Sequence, residues 1–296
     1  ARRIINIADL HFLRQIRDAM RAGDATLMRE ALTTRETEIA VLSRAELILS
    51  YSSVEQAVIT SHVTTGPKAA ILPWVVDPIP LRAPFAARSG IAFLGGYRHY
   101  PNVHAVQFFA NEVMPLLRTR LPGVPFLVYG SNVPPEIDAL ASDDVIIKGF
   151  VADVAGIFDS ARLVVAPLLT GAGMKGKVLD YIAHGIPSVL SPVAAEGIGI
   201  RDGGEALIAQ SPQGWADAIA SLYENEAGWA AMSQAAHAFA AKQYGFDKGV
   251  QGLSEALGLI DLHMTPGAPA LHATSCPPVP PNASHPNTEH ATHNPA

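Results

Sequence analysis

Two patterns of apolar positions alternate along this chain. Short continuous apolar runs, typical of buried strands, are separated by segments whose apolar residues recur at helical spacing. One such segment, residues 103–120, places Val106, Phe109, Val113 and Leu117 on one face of a helix. The strand-like runs around it are "GIAFLGG", "PFLVYGS", "DVIIKGFV", "RLVVAPLL" and "IPSVLSPV". This alternation predicts an α/β fold with a parallel sheet covered by helices on both faces.

The N-terminal third shows a similar alternation. Strands are expected at "RIINIA", "AELILS" and "KAAILPWVVD", with a helical region over residues 12–42. Prolines crowd positions 78–84, so we expect a domain boundary near residue 80. The predicted organisation is an N-terminal domain (1–80), a larger domain (81–250), a closing helix (251–261) and a disordered Pro- and His-rich tail (262–296).

Composition narrows the functional classes. The chain has 296 residues, of which 49% are apolar and 16% charged, and its net charge is −6. An acidic chain of this kind argues against nucleic acid as a partner. Its one cysteine, Cys276, excludes a disulfide framework or a zinc cluster of cysteines, and a cytoplasmic location is expected. The chain opens without methionine, as expected of a fragment cut within a domain.

The segment "GAGMKGKVLDYIAHG" (171–185) forms a glycine-rich, basic corner between a strand and a helix. Glycines let a backbone approach a ligand closely, and the start of a helix offers unpaired N–H groups. Lys175 and Lys177 would each add a charge-assisted hydrogen bond of about 1.5–3 kcal/mol. The corner therefore suggests a phosphate site. Two alternatives stay open here: the corner could be purely structural, or it could be an ATP-binding P-loop. A P-loop needs Ser or Thr at the position that Val178 occupies, which argues against this alternative.

A second corner has the same strand–glycine–helix form. Gly95 and Gly96 end an apolar run, Arg98 follows them, and Pro101 suits the start of a helix. An anion could meet both corners if their strands are neighbours. Asp180 lies one helical turn beyond Lys177. It could accept a hydrogen bond from a ribose hydroxyl, or it could form a surface ion pair with that lysine.

The motifs taken in order resemble a known family. They are "FLGGYRHYPNVHAVQFF", "FLVYGS", "VIIKGFVADV", "VAPLLTGAGMKGKVLDYIAHGIPSVLSPVAAEGI" and "DGGEALIA". Over about residues 90–250 they look like the nucleotide-sugar half of GT-B glycosyltransferases, with the retaining family-four group as the best match. The earlier "ADLHFLRQIRDA" and "RAELILSYSSVEQAVI" resemble the end of the acceptor half of that family, whose front is expected to be missing.

The resemblance implies a GT-B fold, in which a Rossmann-like C-terminal domain faces a partial Rossmann-like N-terminal domain. It implies a nucleoside-diphosphate sugar as donor, transfer with retention at the anomeric carbon, and no metal or other cofactor. The acceptor would be a glycan or a lipid-linked glycan in bacterial polysaccharide synthesis. A peripheral contact with the inner face of the membrane is expected for such an acceptor.

The resemblance also assigns residues. Gly95, Gly96 and Arg98 match the loop facing the diphosphate, and Gly171, Gly173, Lys175 and Lys177 match the second donor-binding corner. Asp180 falls where the family has an acid associated with the ribose, and Glu196 is expected to help hold the donor. The resemblance assigns catalytic roles to His11, Arg98 and Lys175, with Asp9 orienting His11. The residues implied to bind donor or act in catalysis are His11, Gly95, Gly96, Arg98, Gly171, Gly173, Lys175, Lys177, Asp180 and Glu196, and none is a metal ligand.

One departure from the family pattern motivates an alternative. Ala172 stands where the family has its first acid, eight positions before Asp180. Together with the missing front, this favours a second hypothesis: a non-catalytic or degenerate nucleotide-binding module of the same fold. A sugar-nucleotide epimerase on that fold is a further enzymatic alternative.

Overall fold

The computed structural model describes residues 2–264. Nearly all of the tail predicted to be disordered, residues 265–296, lies outside the described residues. Residues 2–263 contain two parallel sheets and the helices that cover them. The boundary predicted near residue 80 and the domain limits drawn from it stay predictions.

The first sheet has three parallel strands in the order β1-β2-β3, and with its helices α1–α3 it is called the N-terminal lobe. Its elements are β1 (Ile4–Ile7), α1 (His11–Ala22), α2 (Ala25–Leu42), β2 (Leu47–Ser50), α3 (Ser53–His62) and β3 (Lys68–Ile71). The helical region expected over residues 12–42 is two helices, because Gly23 adopts a left-handed conformation (φ 65°) and Asp24 caps α2 by accepting from Thr26 N and Leu27 N.

The second sheet has six parallel strands in the order β6-β5-β4-β7-β8-β9 and, with its helices, forms the C-terminal lobe. The strands are β4 (Ile91–Leu94), β5 (Phe126–Tyr129), β6 (Val145–Gly149), β7 (Leu163–Ala166), β8 (Ser188–Leu190) and β9 (Leu207–Ile208). The chain order reverses at β4, which has β5 on one side and β7 on the other. Open parallel sheets bind ligands at such a reversal, beyond the carboxyl ends of the strands.

The helices of this part are α4 (Tyr100–Phe108), α5 (Met114–Arg120), α6 (Pro135–Asp138), α7 (Ala155–Ser160), α8 (Gly176–Ala183), α9 (Pro192–Ala195), α10 (Pro212–Tyr223), α11 (Glu226–Tyr244) and α12 (Phe246–Gly258). The helix expected over residues 103–120 starts earlier, at Tyr100, and contains a π-helical turn over Phe109–Val113. Pro115 accounts for that turn, because proline lacks the N–H of a regular helix and its ring crowds the preceding turn.

Each sheet has its own apolar core. The larger core surrounds the six-stranded sheet and includes the four residues predicted to share a helix face, Val106, Phe109, Val113 and Leu117, all buried. Full burial of a large apolar side chain contributes about 1.5–3 kcal/mol. The last helix, α12, returns to the first sheet, where Ala256 packs with Leu47 and Leu49. The closing helix predicted for residues 251–261 thus overlaps α12, which begins five residues earlier.

Candidate active site at the strand reversal

The two glycine corners are neighbours in space. Ile91 of β4 pairs with Leu163 of β7, so the loops that leave these strands lie side by side at the carboxyl edge of the sheet. One loop carries Gly95 and Gly96, and the other leads to Lys175 at the start of α8. The condition for both corners to meet one anion, that their strands adjoin, is fulfilled.

Asn102 ties the two corners together. Its Nδ2 donates to Gly96 O at 2.8 Å, and its Oδ1 accepts from Lys177 Nζ at 2.6 Å. The side chain is buried on the first turns of α4, and a Cβ on Gly95 would come within 2.8 Å of its Cγ. The NH₂ group of the Asn102 amide therefore fixes the turn at Gly96, and its oxygen fixes the ammonium group of Lys177. The sequence analysis did not identify this bridging role of Asn102.

Gly130 is a second residue that sequence reasoning missed. It follows β5 directly, and a Cβ there would lie only 1.8 Å from Gly95 O. Only glycine lets the end of β5 come this close to the first corner. The available signal was the glycine that follows the apolar run "FLVYG".

Lys177 lies inside the site. Its Nζ is 4.5 Å from the ring centroid of the buried Phe93, in addition to its bond with Asn102. Desolvation by the surrounding protein, reinforced by the charge of Lys175, lowers the pKa of Lys177 to about 7. The ion pair with Asp180 considered from the sequence is not among the salt bridges of the described residues. An anion bound here would favour the charged ammonium.

Lys175 is the N-cap residue of α8 and is only 9% exposed. Its Nζ donates to Gly173 O at 2.5 Å and to Ala172 O at 3.2 Å. Desolvation lowers the pKa of Lys175 to about 8, although the nearby carboxylates of Glu196, Glu55 and Asp9 act in the opposite direction. The ammonium is thus held by loop carbonyls beside the Ala172 position.

Two cavities meet at Lys177. The strand-end cavity, about 300 Å³, lies beyond β4 and β5 and is lined by Leu94, Gly95, Gly96, Tyr129, Gly130, Ser131, Phe150, Val151, Val154, Ile157, Lys177, Asp180 and Tyr181. The central cavity, about 530 Å³, lies between the lobes and is lined by Ala8, Asp9, His11, Arg14, Trp74, His99, Pro101, Asn102, Leu168, Thr170, Gly171, Ala172, Met174, Lys175, Gly176 and Lys177. Together they suit a ligand with a partly apolar end, a charged middle and a polar end.

Asp180 lines the strand-end cavity, and its expected hydrogen bond to a ribose hydroxyl stays a prediction. The residue is exposed to solvent where it lines the cavity, although neighbouring protein atoms partly desolvate its carboxyl group. This partial desolvation raises the pKa of the Asp180 carboxyl, and His184 acts in the opposite direction.

The glycines of the second corner make room for the N-terminal lobe. A Cβ on Gly173 (φ 70°) would lie 2.9 Å from Asp9 Cβ, so this glycine is covered by the β1–α1 loop. Gly171 lines the central cavity, and its carbonyl accepts from Arg17 Nη1 at 2.7 Å. At Gly173 the close approach serves contact between the lobes, and the expected contact with a donor stays a prediction.

His11 lines the central cavity at the start of α1, with Nε2 3.3 Å from Asp9 Oδ1. The expected Asp9–His11 pair is therefore present. Neighbouring acids hold this end of α1: Glu38 accepts from His11 N and Phe12 N, and Glu55 accepts from Leu10 N at 2.8 Å.

Glu196 and Arg98 lie apart from both cavities. Arg17 engages Glu196 through two hydrogen bonds of 2.6 and 2.8 Å, so this carboxylate joins the lobes. Arg98 is exposed on the turn after Gly96 and lines neither the strand-end nor the central cavity. The structure brings the two lysines, Gly95, Gly96 and Asp180 together at the strand-end cavity and its border, but not Glu196 or Arg98.

Within residues 2–264, no group of three or more His, Cys, Asp or Glu side chains is arranged to hold a metal ion. None of the helices in that range combines the length and the apolarity that crossing a bilayer requires.

Comparison with known proteins gives a family match. Residues 88–225 match the family model described as "Glycosyl transferases group 1". A relative from Klebsiella pneumoniae, described as an uncharacterized 44.6 kDa protein in the cps region, is 22% identical over 186 residues. The matched part is 58% of this chain and 48% of that protein.

Several solved structures share the fold. Sucrose-phosphate synthase from Thermosynechococcus elongatus has a TM-score of 0.67 at 15% identity, with 87% of this chain and 67% of that chain covered. Anabaena HepE in complex with UDP and glucose has a TM-score of 0.64 at 14% identity, with coverage of 86% and 71%. TarM has a TM-score of 0.66 at 14% identity, with coverage of 78% and 46%.

The chain spans about half the length of the Klebsiella relative and of TarM. At these identities the solved structures establish the fold, and the family match establishes the relationship of the matched segment. Residues 88–225 therefore resemble the group 1 glycosyltransferases, and the chain has a GT-B fold with two parallel-sheet lobes.

Proposed function

We propose that this chain takes part in transferring a sugar from a nucleoside-diphosphate sugar to a glycan acceptor. The observation that carries the proposal is the position of Lys177, which joins the two glycine corners and lines both cavities. The UDP complex of HepE, a protein of the same fold, supports a nucleotide as part of the ligand that binds here.

In this proposal each part of the donor has its own place. The nucleoside would occupy the strand-end cavity, with a ribose hydroxyl donating to Asp180. The diphosphate would lie between Gly96 and the start of α8, where Lys177 and Lys175 supply positive charge and the helix supplies N–H groups. The sugar would then project into the central cavity, toward His11.

These cations have a chemical task. When the bond between the anomeric carbon and the phosphate oxygen breaks, negative charge develops on the leaving diphosphate. Preorganised ammonium groups and helix N–H groups stabilise that charge more strongly than they stabilise the bound donor. No metal or other cofactor is required by this scheme, which assigns the task of a metal to Lys175 and Lys177.

Retention of configuration is also part of the proposal. Among the described residues that line the central cavity, Asp9 is the only carboxylate, and it is held between Arg14 Nε and His11 Nε2, both at 3.3 Å. A carboxylate so engaged is a poor nucleophile. We therefore favour attack by the acceptor hydroxyl on the face from which the diphosphate leaves, with the hydroxyl proton passing to a leaving phosphate oxygen.

The acceptor and location are proposed at a coarser level. The Klebsiella relative from a cps region supports a role in bacterial polysaccharide synthesis. A glycan or lipid-linked glycan would be the acceptor, and the protein would work in the cytoplasm at the inner face of the membrane. A non-catalytic nucleotide-binding module remains the second candidate, because Ala172 occupies the position of the first family acid and Lys175 is held by loop carbonyls.

Calorimetric titration with UDP, GDP, ADP and ATP, with and without magnesium, tests the donor site. Binding of one diphosphate without metal is expected, and it should weaken by roughly tenfold or more in Lys177→Ala, since a charge-assisted bond contributes about 1.5–3 kcal/mol. Lys242→Ala, an exposed lysine on α11, is the control. Equal affinity in wild type and Lys177→Ala would refute the site.

Transfer itself is tested on the chain with its natural flanking sequence. Release of the free nucleotide and the anomeric configuration of the product would be measured by NMR. Nucleotide binding without transfer or donor hydrolysis would favour the non-catalytic module. Conversion of the donor sugar without any acceptor would favour an epimerase.

A further inference from the structure

A third cavity adjoins the proposed reaction centre. This side cavity, about 400 Å³, lies between α1 and the start of α4, and Asp18, Arg21, Tyr100 and His104 supply its polar lining. Pro101 and Thr170 line both the side cavity and the central cavity. A ligand whose reacting end lies in the central cavity can therefore extend into this one.

Tyr100 presents an aromatic ring to the side cavity. The residue is 59% exposed, and its ring meets His104 edge-on, with centroids 4.4 Å apart. A tyrosine ring that is mostly exposed to solvent offers a flat apolar surface with a polar hydroxyl at its tip. The face of a pyranose ring, with its row of C–H groups, fits such a surface.

Arg21 brings a positive charge to the same cavity. Its Nη1 is 3.5 Å from His104 Nδ1, and among the described residues no carboxylate lies within salt-bridge distance of the guanidinium. Desolvation lowers the pKa of His104, Arg21 lowers it further, and Asp18 acts in the opposite direction, so the imidazole is neutral at pH 7. His104 therefore adds no second cation, and Asp18 remains as an acceptor for hydroxyl groups.

From these contacts we infer that the side cavity binds an acidic sugar residue of the acceptor. Its ring would pack on Tyr100, its carboxylate or phosphate would pair with Arg21, and a hydroxyl would donate to Asp18. The inference rests on the proposed transfer function, and it adds that the acceptor is an anionic saccharide extending from the reaction centre. Planar guanidinium groups suit carboxylate and phosphate equally well, so the two sources are separated by experiment.

The test measures binding of small probes by NMR titration of the full chain. The probes are methyl β-D-glucuronide, glucose 6-phosphate, neutral methyl β-D-glucoside and inorganic phosphate. An acidic sugar is expected to bind about tenfold more tightly than the neutral glucoside, in line with a charge-assisted bond. The glucuronide and the sugar phosphate distinguish a carboxylate from a phosphate as the preferred group.

Variants assign the effect to the cavity. Arg21→Gln should remove the preference for acidic sugars, Tyr100→Ala should weaken every sugar probe, and Arg44→Gln, an exposed arginine after α2, should change nothing. Arg21 and Tyr100 are exposed, so both variants should fold, which thermal unfolding verifies. UDP titration of the same samples reports the donor site separately, so failure here is distinguishable from failure of the proposed function.

Three results would overturn the inference. One is equal binding of the neutral and acidic sugars, and another is no saturable binding of any sugar probe at millimolar concentration. The third is tight binding of inorganic phosphate, with an affinity that Tyr100→Ala leaves unchanged and that the sugar probes do not exceed.

Discussion

A lysine whose ammonium is partly desolvated makes the proposed site sensitive to pH. Lys177 contacts Asn102 and the Phe93 ring and has a pKa of about 7, so the amine is largely neutral in the free protein at pH 8. A bound diphosphate would restore the proton, since opposite charge favours the charged form. Binding and protonation at this residue are therefore linked.

This linkage predicts that UDP binding takes up a proton above pH 7. Affinity is expected to fall by roughly tenfold per pH unit between pH 7 and 9, because the free site must first gain the proton. Calorimetry in buffers of different ionisation enthalpy counts the protons directly. Lys177→Met should bind weakly and lose the proton uptake that begins near pH 7, leaving the contribution of Lys175, whose pKa is about 8, whereas Lys242→Met should retain both contributions. Constant affinity across this range would rule out the linkage.

A substitution at Gly96 can test the approach of the ligand separately from the stability of the fold. A Cβ at this position would meet only Ser131 Oγ, at an ordinary 3.6 Å, so Gly96→Ala should fold with nearly unchanged stability. The added methyl group would nevertheless project where the proposal puts the diphosphate. We expect UDP affinity to drop by at least about tenfold while the melting temperature stays within a few degrees.

Gly156→Ala is the matched control for this change. Gly156 lies in α7, where a Cβ meets nothing within 4 Å, so alanine should stabilise the protein by about 0.5–1 kcal/mol and leave UDP binding alone. If Gly96→Ala bound UDP as well as Gly156→Ala does, the diphosphate would have to lie elsewhere.

The sequence identified some of these residues and not others, for a physical reason. Gly96, Lys175 and Lys177 stand at strand ends, where their residue types alone suggest a ligand. The roles of Asn102 and Gly130 depend on contacts with Lys177, 75 positions away, and with Gly95 across the sheet edge. Such contacts exist only once β4, β5 and β7 are assembled.

Among the elements, α1 depends on acids from other helices for its start. Its N-cap residue, Leu10, has no side-chain oxygen, so Glu38 of α2 and Glu55 of α3 accept the first N–H groups. Glu55 is 1% exposed, and its Oε2 has no hydrogen-bond partner among the described residues. Burial raises the pKa of this carboxyl, although the Leu10 N–H acts against the shift.

This raised pKa gives Glu55→Gln a defined pH signature. Because the folded state holds the proton more tightly than the unfolded state, the contribution of Glu55 to stability is present below its unfolded pKa and declines as pH rises. Glutamine is neutral, and its amide oxygen can still accept from Leu10 N. The variant should therefore gain stability relative to wild type between pH 5 and pH 8, measured by guanidinium unfolding.

Glu30→Gln, an exposed residue of α2, is the control and should show no such gain. A stability difference for Glu55→Gln that stays the same at both pH values would mean that Glu55 is charged throughout. A loss of stability at pH 8 would mean that the charge itself holds the start of α1.

Most elements could be predicted from periodicity, and the exceptions have local causes. The strands were visible because buried parallel strands are continuous apolar runs. The break at Gly23 was missed because Arg, Glu, Ala and Leu continue at helical spacing on both sides of it. The π-helical turn before Pro115 keeps its apolar face buried, so the amphipathic pattern gave no sign of it.

At the scale of the whole molecule, one arginine joins the two lobes beside the site. Arg17 of α1 donates to both carboxylate oxygens of Glu196 and to Gly171 O, on the loop that carries Lys175. Gly171 and Glu196 are 154 and 179 positions away from Arg17 along the chain, so these contacts could not be predicted from the sequence. Glu196 thus holds the N-terminal lobe, and its expected contact with the donor stays a prediction.

We therefore predict that Arg17 controls donor affinity without touching the donor. Arg17→Gln should weaken UDP binding by several-fold, because the loop from Gly171 to Lys175 loses its tie to α1. A double-mutant cycle with Glu196→Gln should give a coupling energy of about 0.5–3 kcal/mol in unfolding, since the pair is bidentate and mostly shielded from solvent. Arg44→Gln should leave both quantities unchanged.

The cycle separates two roles for Glu196. If Glu196 acts through Arg17, the double variant should bind UDP no more weakly than Arg17→Gln alone, because the tie is already broken. If Glu196 contacts the donor directly, as the family resemblance implied, its removal should weaken UDP-sugar binding further in the Arg17→Gln background. Additive losses in donor affinity, with no coupling in stability, would contradict the interlobe role and return Glu196 to the donor site.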